Sequence, residues 1–140
     1  MPKLDPAAHL RAYMDAFNSQ NYPELLKFYH DDVVLTIANG TELRGKAAIV
    51  AFYNKATSKT TRVIKVLDVF GNDDRIAAEL ESEFLALEDF PDFTSGPMSK
   101  GDRLYANTFV IYELRDGLFS RIRSAPFFRE WRRLKESEAK

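Results

Sequence analysis

Two alternating runs that meet at Arg115-Asp116-Gly117 constrain this chain more than anything else in it: RLYANTFVIYEL before the turn and LFSRIRSAPFF after it. Asp-Gly supplies the positive φ angles of a tight hairpin turn, and both runs are rich in β-branched and aromatic residues. In the first run Leu104, Ala106, Thr108, Val110, Tyr112 and Leu114 share one face, while Tyr105, Asn107, Phe109 and Ile111 share the other. Both faces are mostly apolar, so the hairpin lies in the middle of a sheet or beneath a second subunit.

The N-terminal half reads as helical. Asp5-Pro6 is an N-cap followed by a proline at the first helical position, and Leu10, Tyr13, Met14 and Phe17 form one apolar stripe. Asn21 and Glu24 make a capping box for a short second helix, whose Leu25, Phe28 and Tyr29 face inward. A strand is expected over residues 33–38, then the Asn39-Gly40 turn, then a third helix from Gly45 with Ile49, Phe52, Tyr53 and Ala56 at helical spacing. Residues 60–70 and 75–88 form a strand pair around the Gly71-Asn72-Asp73-Asp74 turn. The segment 89–101 holds two prolines and two glycines, and reads as a long loop of the kind that forms lids. The tail from Arg129 is expected to be a short charged helix. Helices collected on one face of a curved antiparallel sheet make an α+β fold, here one enclosing a conical pocket.

The 140 residues, 45% hydrophobic, suit a single domain with its core over 5–128 and a charged tail over 129–140. Without cysteine, disulfides and thiolate chemistry are excluded. With 20 basic against 21 acidic residues, nothing global draws the chain to nucleic acid or anionic lipid, and neither partner is expected. MPKLDPAAHL lacks a signal-peptide core, and no window has the roughly 20 apolar residues of a membrane span. A cytoplasmic location is expected, with no cofactor and no metal.

Four pieces in order resemble a known superfamily: RAYMDAFNSQNYPELLKFYHDDVV, ELRGKAAIVAFY, the strand pair, and YANTFVIYELRDGLFSRIR. They are similar to the cone-shaped fold of the nuclear transport factor 2 type, and within it to the SnoaL-like group of polyketide cyclases and the relatives of ketosteroid isomerase and limonene epoxide hydrolase. The resemblance covers nearly the whole chain. It implies that Tyr13 stands where the steroid isomerases place an oxyanion-hole tyrosine. The place of that family's general base falls near Ile37, and that of its second oxyanion acid near Phe109 or Val110. The epoxide hydrolases' aspartate on the last strand corresponds to Ser124. These substitutions disfavour both of those mechanisms, since a lost base removes a factor of the order of 10²-fold or more.

The expected site is therefore an apolar pocket with scattered hydroxyl and amide groups, suited to a small apolar molecule. Tyr13 is its candidate catalytic group. Phe17, Ile37, Asn39, Tyr53, Ser82, Phe84, Asn107, Tyr112 and Ser124 are its candidate binding residues. Tyr13 reads equally as a core tyrosine, and Asn39 as a turn residue. Asn107 and Thr108 cannot both face inward, and Asn107 is taken as the pocket or interface amide. Glu79, Glu81 and Glu83 share one face, expected to point outward and pair with Arg62 or Lys65. His9 and His30 match no triad or metal pattern, and Arg129, Arg132 and Arg133 around Trp131 read as a solvated face. Two functions remain open: a small-molecule enzyme working by acid–base chemistry, isomerisation or cyclisation, and a non-catalytic binding module. A homodimer through Tyr105, Phe109 and Ile111 is expected with either.

Overall fold

The computed structural model describes residues 4–134. Helix α1 (Pro6–Asn18) begins where Asp5 accepts hydrogen bonds from the backbone N–H groups of Ala7 and Ala8, and it buries Leu10, Tyr13, Met14 and Phe17. Helix α2 (Tyr22–Leu25) is a single turn capped by Asn21, and a 3₁₀ turn (Leu26–Phe28) carries the chain into β1 (Tyr29–Thr36). That strand starts at Tyr29 rather than at Val33, because Tyr29 already pairs with Phe119 of the last strand. After the Asn39-Gly40 turn come β2 (Glu42–Arg44) and helix α3 (Lys46–Ala56), which buries Ile49, Tyr53 and Ala56.

Four long strands follow: β3 (Thr60–Gly71), β4 (Arg75–Ala86), β5 (Arg103–Arg115) and β6 (Leu118–Arg132). The β5–β6 turn has Asp116 at φ 54° and Gly117 at φ 78°, the two positive angles that the Asp-Gly dipeptide supplies. The strands form one six-stranded sheet in the order β2-β1-β6-β5-β4-β3. The β1–β6 pairing is parallel, the one departure from the expected antiparallel sheet; it follows from the long excursion through α3 and four strands between them. The fold is α+β, with the helices and the curved sheet closing on a shared core. Among the described residues no helix is long and apolar enough to cross a membrane.

Three expectations need correction. Strand β6 runs to Arg132, so the start of the tail is strand rather than helix, extended by pairing Glu130 with Tyr105 and Arg132 with Arg103; residues 135–140 of the expected helix lie outside the described residues. The 89–101 loop is a packed wall. Phe90 and Met98 exchange backbone hydrogen bonds, and with Phe93 they bury against Phe84, Ala86 and Leu104 as a second apolar cluster. Its end is pinned by the buried Asp102, which accepts from the N–H groups of Ser99 (2.9 Å) and Leu134 (3.0 Å) and from Arg133 (3.0 Å). Finally, the glutamates of β4 do point outward, with Glu83 held by Arg103 and Tyr105, but Arg62 is not their partner. It stands opposite Phe84 on the inner face, since cross-strand partners share a face.

Candidate functional site

Between the concave face of the sheet and α3 lies a hollow of about 370 Å³, in the size range of small-molecule sites. Its lining follows from register. Arg62 pairs with Phe84, Ser82 with Ala106, Thr108 with Pro126, and Val110 with Ser124, so period-two alternation brings all but Val110 to the wall. Helix α3 contributes Phe52, Tyr53 and Ala56 from the opposite side, and the end of β1 and its turn contribute Ile37 and Asn39. Phe93, Thr94 and Ser95 of the packed loop complete the wall, and Arg129 stands on it from the end of β6.

Of the residues expected at the site, Ile37, Asn39, Tyr53, Ser82, Phe84 and Ser124 line this hollow. Asn39 is also a turn residue: its side-chain oxygen accepts from the N–H of Thr41 at 3.0 Å. The other four lie elsewhere. Asn107 is on the outer face, opposite Glu81 and Phe128, because Thr108 shares the parity of Leu104 and Ala106 and takes the inward place. Phe17 packs edge-on against Tyr53, with ring centroids 4.8 Å apart, and backs the wall without forming it. Tyr112 and Tyr13 are each 2% exposed and sit in the core among Phe28, Tyr29 and Phe119.

The phenol at the wall is thus Tyr53, with Tyr13 behind it. The hydroxyls of Tyr13 and Tyr29 share a 2.6 Å hydrogen bond. Burial drives the pKa of both well above the ordinary tyrosine value, and neighbouring phenols add to the rise for each. Burial also raises Tyr53; the Arg62 cation and the hydroxyls of Tyr13 and Tyr29 offset this only in part. All three stay protonated at neutral pH. A neutral buried phenol is a hydrogen-bond donor suited to a carbonyl or a developing oxyanion.

Arg62 lines the hollow although sequence reasoning placed it on the outer face. Its guanidinium carbon lies 5.1 Å from the ring centroid of Phe17 and 4.8 Å from that of Phe84. Nη2 donates to the Ser82 hydroxyl at 3.3 Å, and the buried Nε has no partner. Burial lowers its pKa, against which the surrounding phenols pull upward. Among the described residues no carboxylate lies within salt-bridge distance of Arg62 or Arg129, and the described lining of the hollow contains no Asp, Glu or His. The signal for Arg62 was its spacing from Ile64 and Val66, which places it on their face rather than on that of Val63 and Lys65.

The fold is shared with solved structures, among them the following three. A proposed polyketide cyclase from Xanthomonas campestris pv. campestris is 20% identical, with a TM-score of 0.74 over 95% of this chain and 93% of its own. The Delta 5-3-ketosteroid isomerase from Mycobacterium sp. is 21% identical, with a TM-score of 0.68 over 90% of this chain and 97% of its own. A computationally designed 17-OHP binder is 17% identical, with a TM-score of 0.69 over 91% and 98%. At these identities the likeness is one of fold, shared by enzymes and a binder alike. No curated protein sequence matches the chain. The sequence profile of the SnoaL-like domain matches residues 10–122, which is most of the chain. The chain belongs to the SnoaL-like domain family.

Proposed function

We propose that this chain is a small-molecule enzyme of the SnoaL type, and that it isomerises or cyclises a mostly apolar carbonyl compound held in the hollow. The observation that carries the reading is an aromatic-walled cavity of about 370 Å³ whose lining includes a neutral phenol, Tyr53, and the hydroxyl-bearing Ser82, Thr108 and Ser124. Such groups hydrogen-bond an oxygen as negative charge grows on it.

Intramolecular aldol closure of a 1,3-dicarbonyl that bears a further carbonyl group fits this set. The enol form of such a compound is present without a strong base. Its central carbon attacks the carbon of the further carbonyl, the new oxygen takes up the enol proton, and Tyr53 steadies the charge on that oxygen during the transfer. No electrons leave or enter, so no redox cofactor is needed. The test is turnover of cyclic enones and poly-1,3-dicarbonyl chains. Turnover that falls by about 10²-fold in Tyr53→Phe supports the reading, and no turnover of any of them, with binding retained, refutes it.

That second outcome belongs to the competing reading, a non-catalytic binding module. Its support is the lack of any carboxylate or imidazole among the described lining residues. For either function we propose a homodimer through the outer face, where Phe109 (52% exposed) stacks on Phe127 with centroids 4.4 Å apart and Ile111 stands beside them.

A further inference from the structure

We propose that the ligand of this hollow carries a permanent negative charge, a carboxylate on an otherwise apolar body, and that Arg62 with the Ser82 hydroxyl is its seat. This rests on the hollow being the ligand site. The chain as a whole is balanced, with 20 basic and 21 acidic residues, yet the charged side chains in the described lining are two arginines, Arg62 and Arg129. A guanidinium withdrawn from water without a counter-charge is costly, and folds keep such a group only when something else compensates it. The rings of Phe17 and Phe84 compensate in part and fix the side chain in place, but they take up none of its N–H donors.

Of the five N–H donors of a guanidinium, one meets a partner among the described residues, the Ser82 oxygen at 3.3 Å, and the buried Nε meets none. The planar fork matches a carboxylate in two parallel hydrogen bonds. A single half-buried arginine between apolar walls fits a monoanion better than a doubly charged phosphate. Arg129, exposed on the wall of the hollow, adds attraction at longer range. Phe52, Phe84 and Phe93 then face the apolar body of the ligand.

The experiment uses two fluorescent probes that share one body, anionic 1-anilinonaphthalene-8-sulfonate and neutral N-phenyl-1-naphthylamine, each displaced by 2-naphthoate or by 2-naphthamide. In the wild-type protein 2-naphthoate should compete about tenfold or more better than 2-naphthamide, the gain of a charge-assisted hydrogen bond. Arg62→Met should abolish that preference while leaving the affinity for N-phenyl-1-naphthylamine within about threefold. Arg62→Lys, which keeps the charge and loses the fork, should keep part of the preference. Circular dichroism checks that both variants fold.

Equal competition by acid and amide in the wild type overturns the inference, as does a preference that survives Arg62→Met. If the neutral probe binds with no preference for acid, the hollow stands and its charge selectivity falls. If neither probe binds, the hollow is not a ligand site and both proposals fall together.

Discussion

The hydroxyls of Tyr13 and Tyr29 lie 2.6 Å apart in the core, joined by a hydrogen bond that no solvent reaches. Tyr13→Phe leaves the Tyr29 hydroxyl without this partner, and the expected cost is about 1–3 kcal/mol in denaturant unfolding. Because Tyr13 stands behind the wall, N-phenyl-1-naphthylamine should bind this variant within about threefold of wild type. A variant of wild-type stability that has lost the probe would place Tyr13 at the site instead.

Alkaline pH should unfold the protein through its buried phenols. Burial first, and neighbouring tyrosines second, raise the pKa values of Tyr13, Tyr29 and Tyr112, and burial raises Tyr53 against the pull of Arg62. In the unfolded chain the same phenols ionise near pH 10. Above that pH the native state binds more protons than the unfolded state, so the stability they contribute is complete below about pH 10 and is lost as pH rises further. Denaturant unfolding at a series of alkaline pH values should show this decline, and the four phenols should give phenolate absorbance only as the fold is lost. Phenolate absorbance from them in the folded protein would contradict their burial.

Asp102 and Arg133 fasten the packed loop to the end of β6. Burial alone would raise the pKa of the Asp102 carboxyl, but hydrogen bonds from the N–H groups of Ser99 and Leu134 and from Arg133 outweigh it and hold the pKa below the ordinary aspartate value. The stabilisation is therefore present above the unfolded pKa of about 3.9 and is lost as pH falls through the lower folded value. Asp102→Ala should cost about 2 kcal/mol and speed proteolytic cleavage within residues 89–101. Unchanged cleavage would mean that the aromatic packing of Phe90 and Phe93 holds the loop without the carboxylate.

The outer face makes a separate prediction. Placing charge on it with Phe109→Arg and Phe127→Arg should turn a dimer into a monomer in sedimentation equilibrium at micromolar concentration, with the fold intact by circular dichroism. A wild-type chain that sediments as a monomer would contradict the proposed interface.

Much of this molecule was legible in its residues. The Asp116-Gly117 turn, the Asp5 cap and the α1 stripe are local signals, and each forms as its chemistry dictates. Alternation along β4 correctly separated Ser82 and Phe84 from the glutamates. What escaped was set by distant contacts. The parallel β1–β6 pairing brings together segments that nothing in either one marks as neighbours. Arg62 reads as a surface cation because arginine usually is one, although its parity with Ile64 puts it on the inner face. Tyr13 fell behind Tyr53 because a helical stripe says which face is buried, not how deep each side chain reaches.

The most direct test is a crystal structure of the protein with 1-anilinonaphthalene-8-sulfonate bound. The expected result is the naphthalene body beside Phe84 and Phe93, with a sulfonate oxygen about 3 Å from a nitrogen of Arg62. A probe found only on the outer face around Phe109 and Phe127, with side chains filling the space beside Arg62, would contradict it.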